Sequence, residues 1–527
     1  MPKIKVNGRE LEAAAGKTVI QACFDAGIFV PHYCWHPGLT PAGNCRMCLV
    51  KVTMPPPAPP PRGLSIACMT NVAEGMDVVT ESPEVNKGRR DVLEFLLINH
   101  PLDCPICDKA GECTLQDFTF QYRGGLSRFQ EPKTIRHTKD LGPNIKIWGN
   151  RCIVCTRCVR FCDEQTGTGE LCVIDRGDRS VVDIFPGIPI DNPLSLNVVD
   201  ICPVGALIDK NFLFQARVWF AQETNTVCAS CSRGCNTKLT AMDGHLKRHV
   251  SRPNLDVNKY WMCDEGRLNV RYVDGPKRLK SGRGGAKELG AAAKSIVARH
   301  GPGSVACIGS SYQSVEELHL FKKLAGALQA TRVGILSRSV GQRQTFKGGF
   351  VIEPDKTPNR AFAELAFGAD ALTSGVESIA AGIKDGSVKG LILMNGIPGL
   401  EWPSSLVMAL QKLEWLAVID IEQTPAASAA HVLLPAAVWA EKDGVFVNVD
   451  KRAQRIRRAV NPPPGARPEV ELLQAALIEL GIGERVLSAE GVFKEVARTW
   501  PEFVGLDYAK LGTLGAPLVK AMAGAPA

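Results

Sequence analysis

The stretch that decides the fold is residues 151–162, RCIVCTRCVRFC, taken together with Cys202-Pro203 further along the chain. Its first three cysteines are separated by two residues each, too close for well-formed disulfides but suited to thiolates that converge on one centre. A remote cysteine followed by proline is a suitable source of a fourth thiolate. We therefore expect a single [4Fe–4S] cube whose ligands are Cys152, Cys155, Cys158 and Cys202.

Cys162 is the fourth cysteine of a C-x2-C-x2-C-x3-C run. In bacterial ferredoxins the last cysteine of such a run ligates a second cube. Counting back from Cys202 with the same spacing gives Val198, Ser195 and Asn192, and none of these is a thiol. The sequence therefore predicts that one cube remains and that Cys162 has no cluster.

The distribution of cysteines indicates metal binding in the first half of the chain only. There are 19 cysteines among 527 residues, and none follows Cys307. The N-terminal residues show neither an export signal nor a presequence, so we expect a mature, non-exported chain without a disulfide scaffold. With 45% hydrophobic residues, the chain has the composition of a globular protein of roughly three to five domains. No apolar run is long enough to span a membrane.

The formal net charge of +8 raises the question of a nucleic-acid partner. About fifteen ligating thiolates, offset by oxidised iron–sulfur cores of about +2 each, would bring the net charge of the loaded protein to about +1. Aromatic residues make up only 6% of the chain, and no face with interleaved basic and aromatic residues is evident. These observations argue against a zinc-stabilised nucleic-acid-binding protein.

The first ligand set is predicted in residues 1–80, where Asn7-Gly8 predicts a hairpin and Thr18 with Gln21 a capping box. Three thiols in one loop and a fourth from a later strand are typical of a plant-type [2Fe–2S] site. The gap of ten residues between Cys34 and Cys45 is longer than is usual for such a site. A zinc knuckle is the alternative. A Rieske centre is excluded because Cys48 stands where a second histidine is needed. The predicted ligands are Cys34, Cys45, Cys48 and Cys68.

The second ligand set contains one histidine and three cysteines and is predicted to hold a [4Fe–4S] cluster. His100 ends a predicted helix over residues 85–99, whose apolar face we expect to contain Val92, Phe95 and Leu96. Asp103 is the other candidate for the fourth ligand. An imidazole in place of a thiolate removes negative charge and raises the cluster potential. The predicted ligands are His100, Cys104, Cys107 and Cys113.

A fourth set lies in residues 221–275. Three thiols on one tight loop fit three corners of a cube better than tetrahedral zinc, which usually takes two separated pairs, and zinc is the alternative. Cys23, Cys172 and Cys307 belong to no set, and Cys23 is expected to be a buried core thiol. The predicted ligands are Cys228, Cys231, Cys235 and Cys263.

Beyond a linker over residues 275–285 the pattern changes to alternating helices and strands. Strands are predicted at Val305–Ser310, Arg332–Leu336, Gly390–Met394 and Leu416–Ile421, with helices over 286–299, 315–329 and 403–413. This alternation indicates a mainly parallel α/β sheet, and no phosphate-binding glycine motif accompanies it. The proline-rich run Pro55–Pro61 is predicted to be a surface loop, and residues 506–527 a loose tail.

The order of these ligand sets resembles one known family. Residues 99–107, NHPLDCPIC, and residues 150–161, NRCIVCTRCVRF, are similar nearly letter for letter to signatures of the large iron–sulfur subunit, the G-type subunit, of bacterial NADH:quinone oxidoreductase (respiratory complex I). Further along, residues 431–435, HVLLP, and 443–448, DGVFVN, are similar to molybdopterin oxidoreductases. The C-terminal part is shorter than is usual in such enzymes, and Cys162 is a residue that relatives commonly lack.

The resemblance implies a multidomain α+β and α/β fold. Its parts are a β-grasp [2Fe–2S] ferredoxin-like domain (1–80), a one-histidine/three-cysteine [4Fe–4S] domain (81–140) and a ferredoxin-like [4Fe–4S] domain (141–220). A four-cysteine [4Fe–4S] domain of molybdopterin-oxidoreductase type (221–275) and a truncated molybdopterin-oxidoreductase-like α/β domain (285–505) follow.

The resemblance also implies a function: electron transfer within a proton-pumping translocase. Electrons would pass from a flavin-bearing NADH-oxidising subunit to the Cys34 cluster, then to the Cys152 and His100 clusters, and on to further iron–sulfur and quinone-proximal subunits. The Cys228 cluster would lie off this path. The subunit would be peripheral, on the cytoplasmic side of the bacterial plasma membrane. One [2Fe–2S] cluster, three [4Fe–4S] clusters, no molybdenum and no catalytic side chain are expected. An iron–sulfur subunit of an NAD-linked formate dehydrogenase or of a hydrogenase is the alternative.

Overall fold

The computed structural model describes residues 1–56, 63–122 and 127–519. It divides the chain into two compact units, Met1–Ala221 with Phe346–Phe350, and Gln222–Thr345 with Val351–Ala527. The finer division into six parts stays a prediction. Most of the proline-rich run, residues 57–61, lies outside the described residues. Within the described part, no helix is long and apolar enough to cross a membrane.

The first unit begins with a five-stranded mixed sheet of order β2-β1-β5-β3-β4, in which only β1 and β5 are parallel. Asn7 and Gly8 both have positive φ, as a tight hairpin turn requires, and they join β1 to β2 as predicted. The predicted capping box of Thr18 and Gln21 starts the helix. The helix packs its buried face on the sheet, and Cys23 is fully buried there, which confirms that prediction. The elements are β1 (Lys3–Val6), β2 (Arg9–Glu12), α1 (Val19–Asp25), β3 (Leu49–Thr53), β4 (Ser65–Ile66) and β5 (Asp77–Val79).

Two helices follow, α2 (Pro83–Leu97) and α3 (Thr114–Tyr122). The predicted apolar face of α2 is wrong, because Phe95 is 76% exposed and the buried positions are Val85, Arg89 and Leu93. The physical reason is Arg89, whose guanidinium donates to the carbonyl oxygens of Leu49 at 3.0 Å and Thr80 at 2.8 Å. These bonds satisfy a buried charge and turn that side of the helix inward.

The rest of the first unit consists of short elements around the cysteine loops. A three-stranded antiparallel sheet has the order β10-β7-β6, and β8 with β9 forms a separate hairpin. The elements are β6 (Thr138–Asp140), β7 (Ile145–Trp148), α4 (Arg157–Phe161), β8 (Leu171–Ile174), β9 (Val181–Ile184), α5 (Asn197–Asp200) and β10 (Leu207–Asp209).

The second unit opens with an antiparallel sheet of three strands, β11 (Gln222–Val227), β12 (Asn236–Met242) and β13 (His245–Ser251), followed by the short helix α6 (Asp264–Leu268). The turn between β11 and β12 carries three cysteines, and the fourth directly precedes α6. The sheet therefore positions the fourth ligand set.

The core of the second unit is a fully parallel sheet of order β15-β14-β18-β19-β20, covered by helices. All four predicted strands are present, and β20 is an additional edge strand that was not predicted. The elements are α7 (Ala286–His300), β14 (Val305–Ser310), α8 (Val315–Ala327), β15 (Val333–Leu336), β16 (Gln344–Thr345), β17 (Val351–Ile352), α9 (Arg360–Phe367), α10 (Ala369–Thr373), α11 (Gly375–Lys384), β18 (Gly390–Met394), α12 (Ser404–Ala409), β19 (Trp415–Asp420), α13 (Pro425–Ala429) and β20 (Val432–Pro435).

The C-terminal helices and strands are packed within the second unit. They are β21 (Gly444–Val447), β22 (Arg452–Ile456), α14 (Glu469–Glu479), α15 (Ala489–Thr499), α16 (Tyr508–Leu511) and β23 (Ala516–Pro517). Tyr508 and Leu511 are buried in an apolar cluster, and β23 pairs with β22. The prediction of a loose tail is therefore wrong for residues 506–519, because buried side chains and strand pairing hold them; residues 520–527 lie outside the described part.

Candidate iron–sulfur centres

The first set forms a continuous network of buried thiols. The side chain of Cys34 contacts those of Cys45 and Cys68, and Cys48 contacts Cys68. The backbone N–H of Cys34 donates to the Cys45 sulfur at 3.3 Å. The hydrogen bond from Cys45 lowers the pKa of Cys34, and that from Cys68 lowers the pKa of Cys48. The structure thus brings all four predicted ligands together and favours the thiolate at two of them.

The loop that carries these cysteines is bent into the left-handed backbone region at Gly43 (φ 67°) and Arg46 (φ 60°). Such a conformation is uncommon for a residue with a side chain and is kept where the surroundings impose it. The bend wraps the backbone around the sulfur atoms, so that an N–H such as that of Cys34 points at them.

In the second set, Cys107 is within electrostatic range of Cys104, and Cys113 is within electrostatic range of Cys107. Cys104 is exposed, Cys107 is buried and Cys113 is half-buried. Burial raises the pKa of Cys113 to about 11. A Cβ atom at Gly205 would lie 2.1 Å from the Cys107 sulfur, so only glycine allows the backbone to approach this thiol.

The structure distinguishes the two candidates for the remaining ligand of this set. Asp103 is ion-paired with Arg151 at 2.9 Å and is therefore already engaged. His100 has a buried Nδ1 atom with no hydrogen-bond partner among the described residues. Burial, followed by the charge of Arg151, lowers the pKa of His100 to about 4, so the ring is neutral at pH 7. A neutral imidazole with a free nitrogen suits a metal ligand, but the groups that act on this ring are Arg151, Lys133 and Asp103 rather than the three thiols.

The third set shows the clearest convergence. One largely apolar cavity is lined by the four predicted ligands, Cys152, Cys155, Cys158 and Cys202. Burial raises the pKa of Cys152 to about 11 and that of Cys155 to about 12. The N–H of Val154 donates to the Cys152 sulfur at 3.4 Å. Val154 has φ 49°, which is rare for a β-branched residue and shapes the loop around the cavity.

Cys162 is near this set without lining its cavity. It is fully buried at the end of α4, and burial followed by the charge of Glu170 raises its pKa to about 12. Its carbonyl oxygen accepts from the N–H of Thr168 at 3.0 Å. The thiol of Cys162 is thus buried but is not among the residues that line the cavity.

The fourth set converges as well. The charges of Cys228, Cys231 and Cys263 all act on Cys235, and burial raises the pKa of Cys231 to about 12. Cys263 is the N-cap of α6, and its sulfur accepts from the N–H of Gly266 at 3.3 Å. A Cβ at Gly266 would lie 3.0 Å from the Cys228 sulfur, so this glycine keeps the helix start close to the thiols.

The arrangement of the thiols does not suit a single metal ion. Among residues 1–56, 63–122 and 127–519, no group of three or more His, Cys, Asp or Glu side chains is placed to hold one metal ion. A multinuclear cluster spreads its thiolates further apart than the Zn–S bonds of about 2.3 Å around a single zinc. Cys307 is fully buried within β14, and the Cys172 sulfur lies 3.6 Å from the carbonyl oxygen of Asp183.

The sequence interpretation missed the arginines that surround the cysteine loops. Arg157 donates to the carbonyl oxygens of Ile201, at 3.0 Å, and Trp35. Arg217 donates to the carbonyl oxygen of Cys107 at 2.8 Å. The one available signal was the position of Arg157 between two predicted ligands, since a cation so close to several thiolates has an electrostatic effect.

Five family models match the chain, and their order is that of the predicted ligand sets. They are the 2Fe-2S iron-sulfur cluster binding domain (2–83), the NADH-ubiquinone oxidoreductase-G iron-sulfur binding region (89–125), the NADH-quinone oxidoreductase subunit 3 ferredoxin-like domain (142–208), the molybdopterin oxidoreductase Fe4S4 domain (221–275) and molybdopterin oxidoreductase (356–478).

Similar proteins bear related names. The G subunit of NADH-quinone oxidoreductase from Rickettsia conorii is 29% identical, and the match covers 96% of this chain and 92% of that protein. The G subunit from Rickettsia prowazekii is 39% identical over 62% of this chain and 48% of that protein. The mitochondrial NADH dehydrogenase [ubiquinone] iron-sulfur protein 1 of Solanum tuberosum is 40% identical over 53% of this chain and 36% of that protein.

The fold and the four cysteine groups define a class of protein, an iron–sulfur subunit of an oxidoreductase with 2Fe–2S and 4Fe–4S binding domains and a molybdopterin-oxidoreductase-like α/β part. The mixed sheet of the first unit and the parallel sheet of the second agree with this fold. Along most of its length the chain is similar to G subunits of NADH-quinone oxidoreductases, and residues 89–125 and 142–208 match family models that carry the name of this enzyme. The match with the Rickettsia conorii protein extends over 627 positions, so this chain of 527 residues lacks segments which that protein has.

Proposed function

We propose that this chain relays electrons within the peripheral arm of a proton-pumping NADH:quinone oxidoreductase. The observation that carries the proposal is the third set, whose four thiols, predicted from spacing alone, line one cavity. The first set lies in the same compact unit, and its thiols are in direct contact. Two neighbouring redox sites in one rigid scaffold are what a relay requires.

The proposal assigns one [2Fe–2S] and three [4Fe–4S] clusters to sixteen ligands. When bound, these clusters accept and release single electrons. The first set would hold the two-iron cluster and the other three sets one cube each. The ligands are Cys34, Cys45, Cys48 and Cys68; His100, Cys104, Cys107 and Cys113; Cys152, Cys155, Cys158 and Cys202; and Cys228, Cys231, Cys235 and Cys263.

The residues around these ligands have three tasks. Apolar side chains such as Ile147 and Val204 line the third cavity and exclude water from it. Backbone N–H groups, of Cys34 in the first set and Gly266 in the fourth, donate to sulfur and stabilise its negative charge. Arginines fix the loops by bonding their carbonyl oxygens.

Partners and location follow from the same proposal. Electrons would enter from a flavin-bearing NADH-oxidising subunit and leave to further iron–sulfur and quinone-proximal subunits. The chain would be held at the cytoplasmic side of a bacterial plasma membrane through these subunits, and no nucleic acid would take part. The names of the relatives, which are subunits of NADH-quinone oxidoreductase, support this assignment.

We assign a structural role to the parallel sheet of the second unit. Ligands of such sheets bind at the carboxyl ends of the strands, where the strand order reverses, here between β14 and β18. The side chain of Gln313 crosses that position and donates to the carbonyl oxygen of Asn395, while Asn359 donates to Gln313 at 2.8 Å. The chain's own side chains occupy the crevice, so we expect no molybdenum there.

The test uses two preparations: the isolated chain reconstituted with iron and sulfide, and the purified complex that contains this chain. Iron analysis of the isolated chain should give about 14 irons from one two-iron and three four-iron clusters, with little zinc. NADH should reduce the clusters of the complex and abolish much of their visible absorbance. About one zinc per set without visible colour would refute the proposal. Stoichiometric molybdenum, or reduction by formate or hydrogen instead of NADH, would favour the alternative enzymes.

A further inference from the structure

Arg157 connects the cysteine loops of the first and third sets. One of its terminal nitrogens donates to the carbonyl oxygen of Ile201 at 3.0 Å, and the other to the carbonyl oxygen of Trp35. Ile201 directly precedes Cys202, and Trp35 directly follows Cys34. One planar guanidinium therefore bonds the backbone beside a ligand of each set, although the two ligands are far apart in sequence.

The charge of Arg157 is shared between the same two sets. Its side chain lines the third cavity together with the four cysteines. The strongest electrostatic partners of the guanidinium are thiols of both sets: Cys155 and Cys202 of the third, and Cys45 and Cys34 of the first. No carboxylate is among these partners. An arginine keeps its charge at any physiological pH, so a full positive charge faces both ligand sets.

Two neighbouring arginines, Arg151 and Arg160, make different contacts from those of Arg157. Arg151, near the second set, is paired with Asp103 at 2.9 Å, so its charge is largely balanced. Arg160 donates to the carbonyl oxygens of Cys34 and Thr40, which both belong to the loop of the first set. Of these three, Arg157 is the one that donates to backbone carbonyl oxygens directly beside a ligand of the first set and a ligand of the third set.

We propose that Arg157 is a positioning residue shared by two clusters: it ties their loops together and raises both of their reduction potentials with one charge. The proposal rests on the proposed function, since it requires clusters in the first and third sets. Reduction adds an electron to a cluster, and a nearby positive charge stabilises the reduced form. Because both clusters face the same cation, their potentials move together and the difference between them is preserved.

The experiment is a redox titration of the purified complex, followed by electron paramagnetic resonance, with the variants Arg157→Gln and Arg157→Lys. We estimate the effect for a unit charge ~6 Å from each cluster at an effective dielectric constant of ~20, and lower it for partial exposure to solvent. The estimate is about a tenfold change in the oxidised-to-reduced ratio of each cluster. Arg157→Gln should therefore raise the oxidised-to-reduced ratio of both clusters about tenfold at a fixed potential. For a one-electron couple this is a fall of about 59 mV in each potential.

Two further variants separate charge from shape. Arg157→Lys keeps the charge but not the fork, and both potentials should stay close to wild type. Arg9→Gln removes a surface arginine of β2 and so controls for the loss of net charge; neither potential should move. If Arg157→Gln loses a cluster, the test rests on Arg157→Lys. A tenfold rise in the oxidised-to-reduced ratio of either cluster in Arg157→Lys would refute the proposal, because the charge is still present.

The outcomes are distinguishable from failure of the proposed function. A shift of both potentials in Arg157→Gln with rescue by lysine supports the inference. If the reduction potential of only one cluster shifts, or of neither, the inference about Arg157 is overturned while the electron-relay proposal stands. Absence of first- and third-set signals in the wild-type protein would instead overturn the proposed function itself.

Discussion

The assignment of Cys202, rather than Cys162, as the fourth ligand of the third set makes a quantitative prediction. Cys202 lines the cavity with the three clustered cysteines, whereas Cys162 is buried within electrostatic range of Glu170 and does not line the cavity. Both are buried, so serine is a comparable perturbation of packing at either position. The difference between the two variants should therefore report ligation alone.

Cys202→Ser should remove or convert one cube, since a serine hydroxyl is a poorer ligand for iron than a thiolate. Complete loss would remove about four of about 14 irons, a fall of roughly 30%, with a similar loss of visible absorbance. Cys162→Ser should leave iron content and every paramagnetic signal in place. Iron analysis and electron paramagnetic resonance of the purified variants measure both effects, and the [2Fe–2S] signal of the first set reports that the protein is folded. Unchanged iron in Cys202→Ser, or loss of a cube in Cys162→Ser, would show that the ligand assignment is wrong.

Three further predictions concern the second set and the buried charges of the second unit. His100→Cys should keep a cube but lower its midpoint potential, because thiolate is more negative than imidazole; an unchanged potential in a redox titration would exclude His100 as a ligand. Lys442 is buried between the carboxylates of Glu317 and Glu469, at 2.8 Å from each, so Lys442→Met should destabilise the fold by about 3–5 kcal/mol, whereas the exposed Lys87→Met should have little effect on thermal unfolding. Burial raises the pKa of Glu316 from 4.5 to about 7, so the stability that this carboxyl contributes below pH 4.5 is lost as the pH rises through 7. Glu316→Gln should reduce the change in the free energy of unfolding between low and high pH by up to about 3 kcal/mol. If chemical unfolding of Glu316→Gln shows the wild-type pH profile, this prediction is wrong.

Covalent spacing made several features accessible to sequence reasoning. Three thiols separated by two residues each in the 152–158 loop are held close together by the chain itself, and the structure places them around one cavity. Runs of apolar residues such as Val305–Ser310 are buried on both faces, and they are the parallel strands that were predicted. The hairpin at Asn7-Gly8 and the capping box at Thr18 also depend only on neighbouring residues.

Other features depend on residues that meet only when the chain folds. Phe95 was expected inside and is exposed, because the buried face of α2 is chosen by Arg89 and the carbonyl groups it finds on other elements. Tyr508 was placed in a loose tail, yet it is buried and donates to Glu316 at 2.7 Å, 192 residues away. The sequence contains no local trace of either contact.

The choice between candidate ligands shows the same division. Spacing alone left both His100 and Asp103 open, and it could not show what Arg157 touches. Packing engages Asp103 with Arg151, leaves a buried nitrogen of His100 without a hydrogen bond among the described residues, and sets Arg157 against two loops. The sequence by itself determined which thiols are neighbours along the chain, because that is covalent geometry. Only the tertiary structure decided which charges face them, because electrostatic interactions depend on distance in space and on burial.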